Sequence, residues 1–187
     1  EWFTAVDGNT VDLADRSVVH AVTHTHVKFK LGIDPTYITS RGAVGCALSH
    51  IALWKRCITQ NEPMVIIEDD MKFIGGLENK IRSAFCSIPA DAHFAAIMYI
   101  PFYTTSSCKG LWCRVTTRDF AGLQVYYITP PGASVLLRNA FPIVAHIDRY
   151  VGYVAATDPY FKAYVYNKTL YSLLDVAIGN FKSSIGH

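Results

Sequence analysis

At 187 residues, with 51% hydrophobic and 17% charged positions, the chain has the size and apolar content for one domain with a real core, and it does not read as disordered. A net charge of +2 and scattered basic residues, with Lys28-Phe-Lys30 the densest cluster, argue against nucleic acid or an anionic membrane as the main partner. No stretch approaches the roughly 18 apolar residues of a membrane span, and no charged-then-apolar leader opens the chain.

In chain order, Trp2, Phe3, Ala5 and Val6 suggest the end of a strand, followed by a polar turn at Asp7-Gly8-Asn9. Residues 17–40 are mixed and give no clear element. From Gly42 the pattern sharpens. Val44, Ala47, Leu48, Ile51, Trp54 and Ile58 follow helical spacing, and Cys46, His50, Leu53 and Cys57 form a second stripe beside them. Two stripes predict a helix buried over much of its circumference, which Asn61-Glu62-Pro63 ends. Met64-Val-Ile-Ile67 is a short apolar run suited to a strand covered on both faces, and it leads directly into Glu68-Asp69-Asp70. A helix is expected from Ile74 to Cys86 and a buried strand from Phe94 to Ile100. Residues 101–120 are loop-rich, with room for one hairpin strand. A strand over Gln124–Thr129, a short helix over Pro131–Arg138 and a helix over Ile147–Ala155 follow, then strands near Ala163–Tyr166 and Leu170–Ser172. No repeat or linker divides the chain, so residues 1–187 read as a single α/β domain.

The five cysteines cannot all pair internally. Cys46 and Cys57 share one predicted helix, about 16 Å apart, too far to bridge. Cys108 and Cys113 are spaced to pair across a loop. Without a CxxC or a repeated Cys/His spacing, a structural zinc site is not expected, and mostly reduced, buried thiols point toward an intracellular protein. The high aromatic content, 13%, is mostly core, with some residues available to line a groove for a sugar or a base.

Three consecutive carboxylates, Glu68, Asp69 and Asp70, stand where a buried strand ends, and ligands of open α/β sheets bind beyond the carboxyl ends of strands. Adjacent carboxylates repel, so the cluster calls for a cation or for solvent. A hard divalent ion held by carboxylate, water and phosphate oxygens meets that need; a solvated acidic turn is the alternative.

The surroundings of this cluster resemble a known family. Arg41-Gly-Ala-Val-Gly-Cys-Ala-Leu-Ser-His50, then Leu53-Trp54, then Pro63-Met-Val-Ile-Ile-Glu-Asp-Asp70 are similar to the Gly-Cys-x-x-Ser-His helix and Glu-Asp-Asp strand of glycosyltransferase family 25. Phe3-Thr-Ala-Val-Asp-Gly8 resembles that family's aromatic-x-Ala-x-Asp-Gly turn. Tyr126-Tyr-Ile-Thr-Pro-Pro-Gly-Ala133 resembles its Tyr-x-Ile-x-x-x-Gly-Ala segment, and Ile147-Asp148 its late Ile-Asp. The family includes lipopolysaccharide sugar transferases and collagen galactosyltransferases.

The resemblance implies a glycosyltransferase A-type, Rossmann-like fold, with a central mostly parallel sheet flanked by helices. It also implies an inverting hexosyl transfer, of galactose or glucose, from a UDP-sugar to a glycan or glycoconjugate hydroxyl, with Mn2+ or Mg2+. Asp70 is then expected on the metal, Glu68 on the ribose or the metal's water shell, and Asp69 on the donor sugar, with Asp7 and His50 bordering the donor pocket. Asp148 is the expected general base and Asp119 the alternative; a helix N-terminal carboxylate is the plainer role for Asp148.

Two departures stand out. The family's usual opening strand and basic loop have no counterpart before Trp2, so that strand is expected to be missing. Gly122-Leu-Gln-Val125 stands where the family often has Gly-Thr-His. A catalytically silent nucleotide-sugar or glycan binder and a metal-dependent phosphohydrolase are the alternative functions. His20, His24 and His26 do not fit one helix or strand face together as a metal cluster, Cys46 reads as a packing residue, and Ser49-His50 is no hydrolase pair. A cytoplasmic location, bacterial or in a virus-infected cell, either free or peripheral to a membrane, completes the expectation.

Overall fold

The computed structural model describes residues 1–29, 36–69, 77–100, 105–118 and 120–167. The predictions for Asp70, for Asp119, for the start of the Ile74–Cys86 helix and for a strand at Leu170–Ser172 lie outside the described residues.

The elements run α1 (Ala21–Phe29), α2 (Arg41–Gln60), β1 (Met64–Ile67), α3 (Leu77–Phe85), β2 (Phe94–Ile100), β3 (Thr105–Lys109), β4 (Trp112–Val115), β5 (Ala121–Ile128), α4 (Pro130–Leu137), α5 (Ile147–Thr157) and β6 (Ala163–Tyr166). The long helix α2 begins where the Ser40 hydroxyl accepts the Ala43 amide and ends at Asn61, whose φ of 54° places it in the left-handed region favoured just past a helix end. Its two predicted stripes are largely buried, with Val44, Ala47, Ile51 and Trp54 in one and His50 and Cys57 in the other, although Ile58 reaches the surface. In α4 the Thr129 hydroxyl caps the Gly132 amide, and Pro130 opens the first turn, where no N–H is needed.

Among the described residues the sheet has six strands in the order β1-β5-β2-β6-β4-β3. Four of the five pairings there are antiparallel and β2 with β6 is parallel, so the expectation of a mostly parallel sheet is corrected to a mixed one. The cause lies in the topology. β1 and β2 do point the same way across the intervening α3, but β5 inserts between them and pairs antiparallel to both. A buried apolar run carries no mark of its neighbour's direction.

Alternation along the strands sorts side chains onto two faces. Phe94 and Ala96 of β2, Tyr126 and Ile128 of β5, and Ala163 and Val165 of β6 join the main core with α2, α4 and α5. Ala95, Ile97, Trp112 and Val125 face the other way and pack on Ile81 and Ala84 of α3. Helices therefore cover both faces of the sheet. The β1 edge departs from the double coverage expected of it. Ile66 is buried, whereas Val65 and Ile67 are 46% and 44% exposed.

Three further expectations change. Residues 2–6 are not a strand: the Val6 amide bonds to the Ser49 hydroxyl of α2 rather than to a sheet neighbour. Residues 17–40, unreadable in sequence, contain α1. The 101–120 region supplies two strands, β3 and β4, joined by a disulfide between Cys108 and Cys113. Of the three free thiols only Cys57 is buried, while Cys86 is exposed and Cys46 partly so, which corrects the expectation of mostly buried thiols.

Candidate donor site at the end of the first strand

The segment before α1 and the N-terminal half of α2 form one docked unit. A Cβ on Gly45 would stand 2.5 Å from the Val6 carbonyl oxygen and 2.7 Å from the Gly8 amide, so only glycine lets the two backbones meet. Gly8 is equally constrained, because its Cβ would fall 1.9 Å from the Arg41 carbonyl oxygen. Ser49 completes the joint: its hydroxyl accepts from Val6 and donates to the Gly45 carbonyl. The Asp7 carboxylate accepts the Asn9 amide and caps the short 3-10 turn Gly8–Thr10, and the guanidinium of Arg41 donates to the Val11 carbonyl at 3.0 Å. Asp7 is exposed and its contact is local, so it shapes the turn.

One helical turn beyond Cys46, His50 points from α2 to the end of β1. It is 4% exposed, and its Nε2 lies 3.4 Å from Oε1 of Glu68. Its Nδ1 lies 2.8 Å from the Tyr126 hydroxyl, which also receives the Trp54 indole N–H at 3.0 Å. The directions of these bonds follow from what each group can do. Indole N–H only donates, so the Tyr126 oxygen accepts from Trp54 and its own proton is available to Nδ1. The Glu68 carboxylate only accepts, which puts the neutral imidazole's proton on Nε2 and leaves Nδ1 to accept from the Tyr126 hydroxyl. Trp54, Tyr126, His50 and Glu68 form a chain in which every buried polar atom has a partner. Burial holds the Tyr126 phenol well above its ordinary pKa, so it is a neutral donor.

Glu68 is thereby fixed from behind while its side chain stays 29% exposed, and its backbone N–H is tied to the Gln124 carbonyl of β5. Asp69 is exposed beside it. Gln124 shares a strand face with Tyr126, two residues on, and its Oε1 is buried without a hydrogen-bond partner among the described residues.

Asp148 meets the same strand. Its Oδ2 accepts the Gly122 amide at 2.9 Å and its Oδ1 the Arg149 amide at 2.7 Å, which pins the start of α5 to the start of β5. Gly122 and Gln124 are two residues apart, about 7 Å along a strand, so Glu68 and Asp148 are anchored at the same end of β5. Glu68, with Asp69 after it and His50 behind it, and Asp148 thus both attach to the N-terminal half of β5. Asp7 lies with the turn docked on α2. His20, His24 and His26 do not converge: His20 accepts the Val22 amide, His24 contacts Arg16 and His26 packs on Tyr37.

Tyr126 and Trp54 as partners of the site were not foreseen. Both lay inside recognised patterns, Trp54 on the helix stripe and Tyr126 in the Tyr-x-Ile segment, but periodicity reports burial and not a buried hydroxyl with two partners. The pairing spans 72 residues and exists only once α2 lies across β5.

Comparison with known proteins adds two findings. The family model described as glycosyltransferase family 25 (LPS biosynthesis protein) matches residues 1–151. A curated relative from Bos taurus, named "Probable inactive glycosyltransferase 25 family member 3", is 26% identical over 100 residues. That match covers 48% of this chain and 16% of the relative's length.

Proposed function

The chain belongs to glycosyltransferase family 25, and from that premise we propose that it transfers a hexose, galactose or glucose, from a UDP-sugar to a hydroxyl of a glycan or glycoconjugate, with inversion. The observation that carries this reading is the placement of Glu68. A carboxylate is presented, partly exposed, at the C-terminal end of β1 by a buried histidine that is itself held by a tyrosine and a tryptophan. Two carboxylates side by side suit a polar, cation-assisted ligand better than an apolar one.

In this proposal Asp70, with the Glu68–Asp69 pair beside it, holds Mn2+ or Mg2+. Glu68 faces the ribose or the ion's water shell, and Asp69 the donor sugar. A dication bound there would offset the charge that develops on the leaving diphosphate. The protein's own residues do the rest. His50 keeps Glu68 in one orientation, and the α2–β5 packing excludes water from behind it. Asp148 is the proposed base. Each of its oxygens accepts one backbone N–H, which leaves lone pairs for an acceptor hydroxyl. An inverting attack comes from the face opposite the diphosphate, so the base has to come from a segment other than the acidic turn; Asp119 is the alternative.

A second reading, a catalytically silent nucleotide-sugar or glycan binder, is favoured by the name of the Bos taurus relative. Family membership removes the ground for a phosphohydrolase. Among the described residues, no helix is long and apolar enough to cross a membrane.

Calorimetry of UDP with and without Mn2+ tests the donor site. UDP should bind far more tightly with Mn2+ present, and Asp70→Asn should remove that difference while the fold is kept. Equal UDP affinity with and without metal, or an undisturbed metal effect in Asp70→Asn, would refute the metal-assisted donor site.

A further inference from the structure

We propose that Cys46, His50 and Glu68 form a three-ligand site for a borderline transition-metal ion of the zinc class, which shares Glu68 with the acidic turn but draws its other two ligands from α2. The sulfur of Cys46, a ring nitrogen of His50 and a carboxylate oxygen of Glu68 all lie within 4.8 Å of one another. In a tetrahedral zinc site with bonds of about 2.0–2.3 Å, ligand atoms stand roughly 3.3–3.8 Å apart. The Nε2–Oε1 separation of 3.4 Å already meets that spacing. Bringing in the sulfur takes about 1 Å of side-chain movement.

The framework is rigid. Cys46 and His50 are four residues apart on the 20-residue helix α2, so they share one face, and Glu68 is fixed by its backbone bond to β5. The ligand chemistry decides the ion. Thiolate and imidazole with a single carboxylate select zinc-class metals, whereas Mn2+ and Mg2+ prefer all-oxygen shells. Burial grades from His50, enclosed, to Cys46 and Glu68, partly open, so an ion has a path in and keeps a fourth position for water or a substrate atom.

The outer contacts also fit. A metal on Nε2 places the imidazole proton on Nδ1, where Tyr126 stands 2.8 Å away with a second lone pair to receive it. That reversal deprives the phenol proton of its acceptor, and among the described residues only three protein ligands are present. Binding is therefore expected to be weaker than at a closed four-ligand site.

Titration of the full chain with Co2+, a spectroscopic stand-in for Zn2+, tests this directly. A thiolate-to-cobalt charge-transfer band should appear in the near ultraviolet and vanish on adding equimolar Zn2+. Cys46→Ser should abolish the band and weaken Zn2+ binding at least about tenfold, since even outer-shell losses cost that much. Glu68→Gln should keep the band but lower Zn2+ affinity, and Cys86→Ser and Asp70→Asn should leave both unchanged. No band in the parent protein, or a band that persists in Cys46→Ser, overturns the proposal. Loss of the band in Asp70→Asn would place the ion in the acidic turn and overturn it as well. Unchanged Zn2+ affinity in Glu68→Gln would remove Glu68 from the site and with it the three-ligand arrangement. None of these outcomes depends on glycosyl transfer, so the two readings fail separately.

Discussion

Tyr126→Phe isolates the buried chain behind Glu68, because it removes one oxygen and leaves the ring. Tyr126 is fully buried and stacked on Phe94, with ring centroids 5.1 Å apart, so the phenylalanine ring has the same seat. A solvent-facing hydroxyl would be lost at a cost within about 0.5 kcal/mol. Here the oxygen receives the Trp54 N–H and supplies the proton for His50 Nδ1. Its removal strands a buried donor and a buried acceptor, each at about 1–3 kcal/mol. Allowing partial relaxation, the expected loss is about 2–4 kcal/mol. Urea unfolding of the parent and variant at neutral pH measures it. A double-mutant cycle with Trp54→Phe should give a coupling on the order of 1 kcal/mol between the two positions. A loss below about 0.5 kcal/mol, with no coupling, would refute the chain as drawn and return His50 to a plain core residue.

Three further outcomes follow from the same geometry. Trp54→Ala empties a fully buried site and deletes the same indole N–H, so it should cost about 3–5 kcal/mol in urea unfolding, and a loss under about 1 kcal/mol would contradict its place in the core. Asp148→Asn should lower sugar transfer on the order of a hundredfold or more while UDP affinity barely changes, whereas near-parental transfer would leave Asp148 only its role in pinning α5 to β5. Burial pushes the Tyr150 phenol up to about 12, so the unfolded chain, with ordinary tyrosine, loses its proton first as pH rises. The resulting stability is fully present below about pH 10 and is lost as pH climbs toward 12. Tyr150→Phe should flatten that part of the unfolding-against-pH curve, and an unchanged slope would contradict it.

Much of this site was legible before the fold. The helix over 43–60, the short strand into Glu68 and the strand at 94–100 all appear where their periodicity put them, because α2 and β2 bury the residues that the pattern marks. The glycine and serine of the Gly45-Cys-Ala-Leu-Ser49 run are explained by a backbone crossing that sequence alone does not contain: Gly45 admits Val6 and Gly8, and Ser49 replaces a sheet partner for Val6. The same crossing is why residues 2–6, apolar enough for a strand, are not one. Sheet direction was illegible for a different reason. β5 slots between β1 and β2 from further along the chain than either, and the Met64–Ile67 run looks the same beside either neighbour. Its outward half, Val65 and Ile67, shows that four apolar residues in a row can also describe an edge.

The most direct measurement is release of free UDP from a panel of UDP-sugars incubated with the protein, Mn2+ and simple glycan acceptors. The account predicts UDP release from UDP-galactose or UDP-glucose that requires the metal, rises with acceptor and disappears in Asp70→Asn. UDP binding without release from any donor would contradict the account and identify the chain as the silent relative.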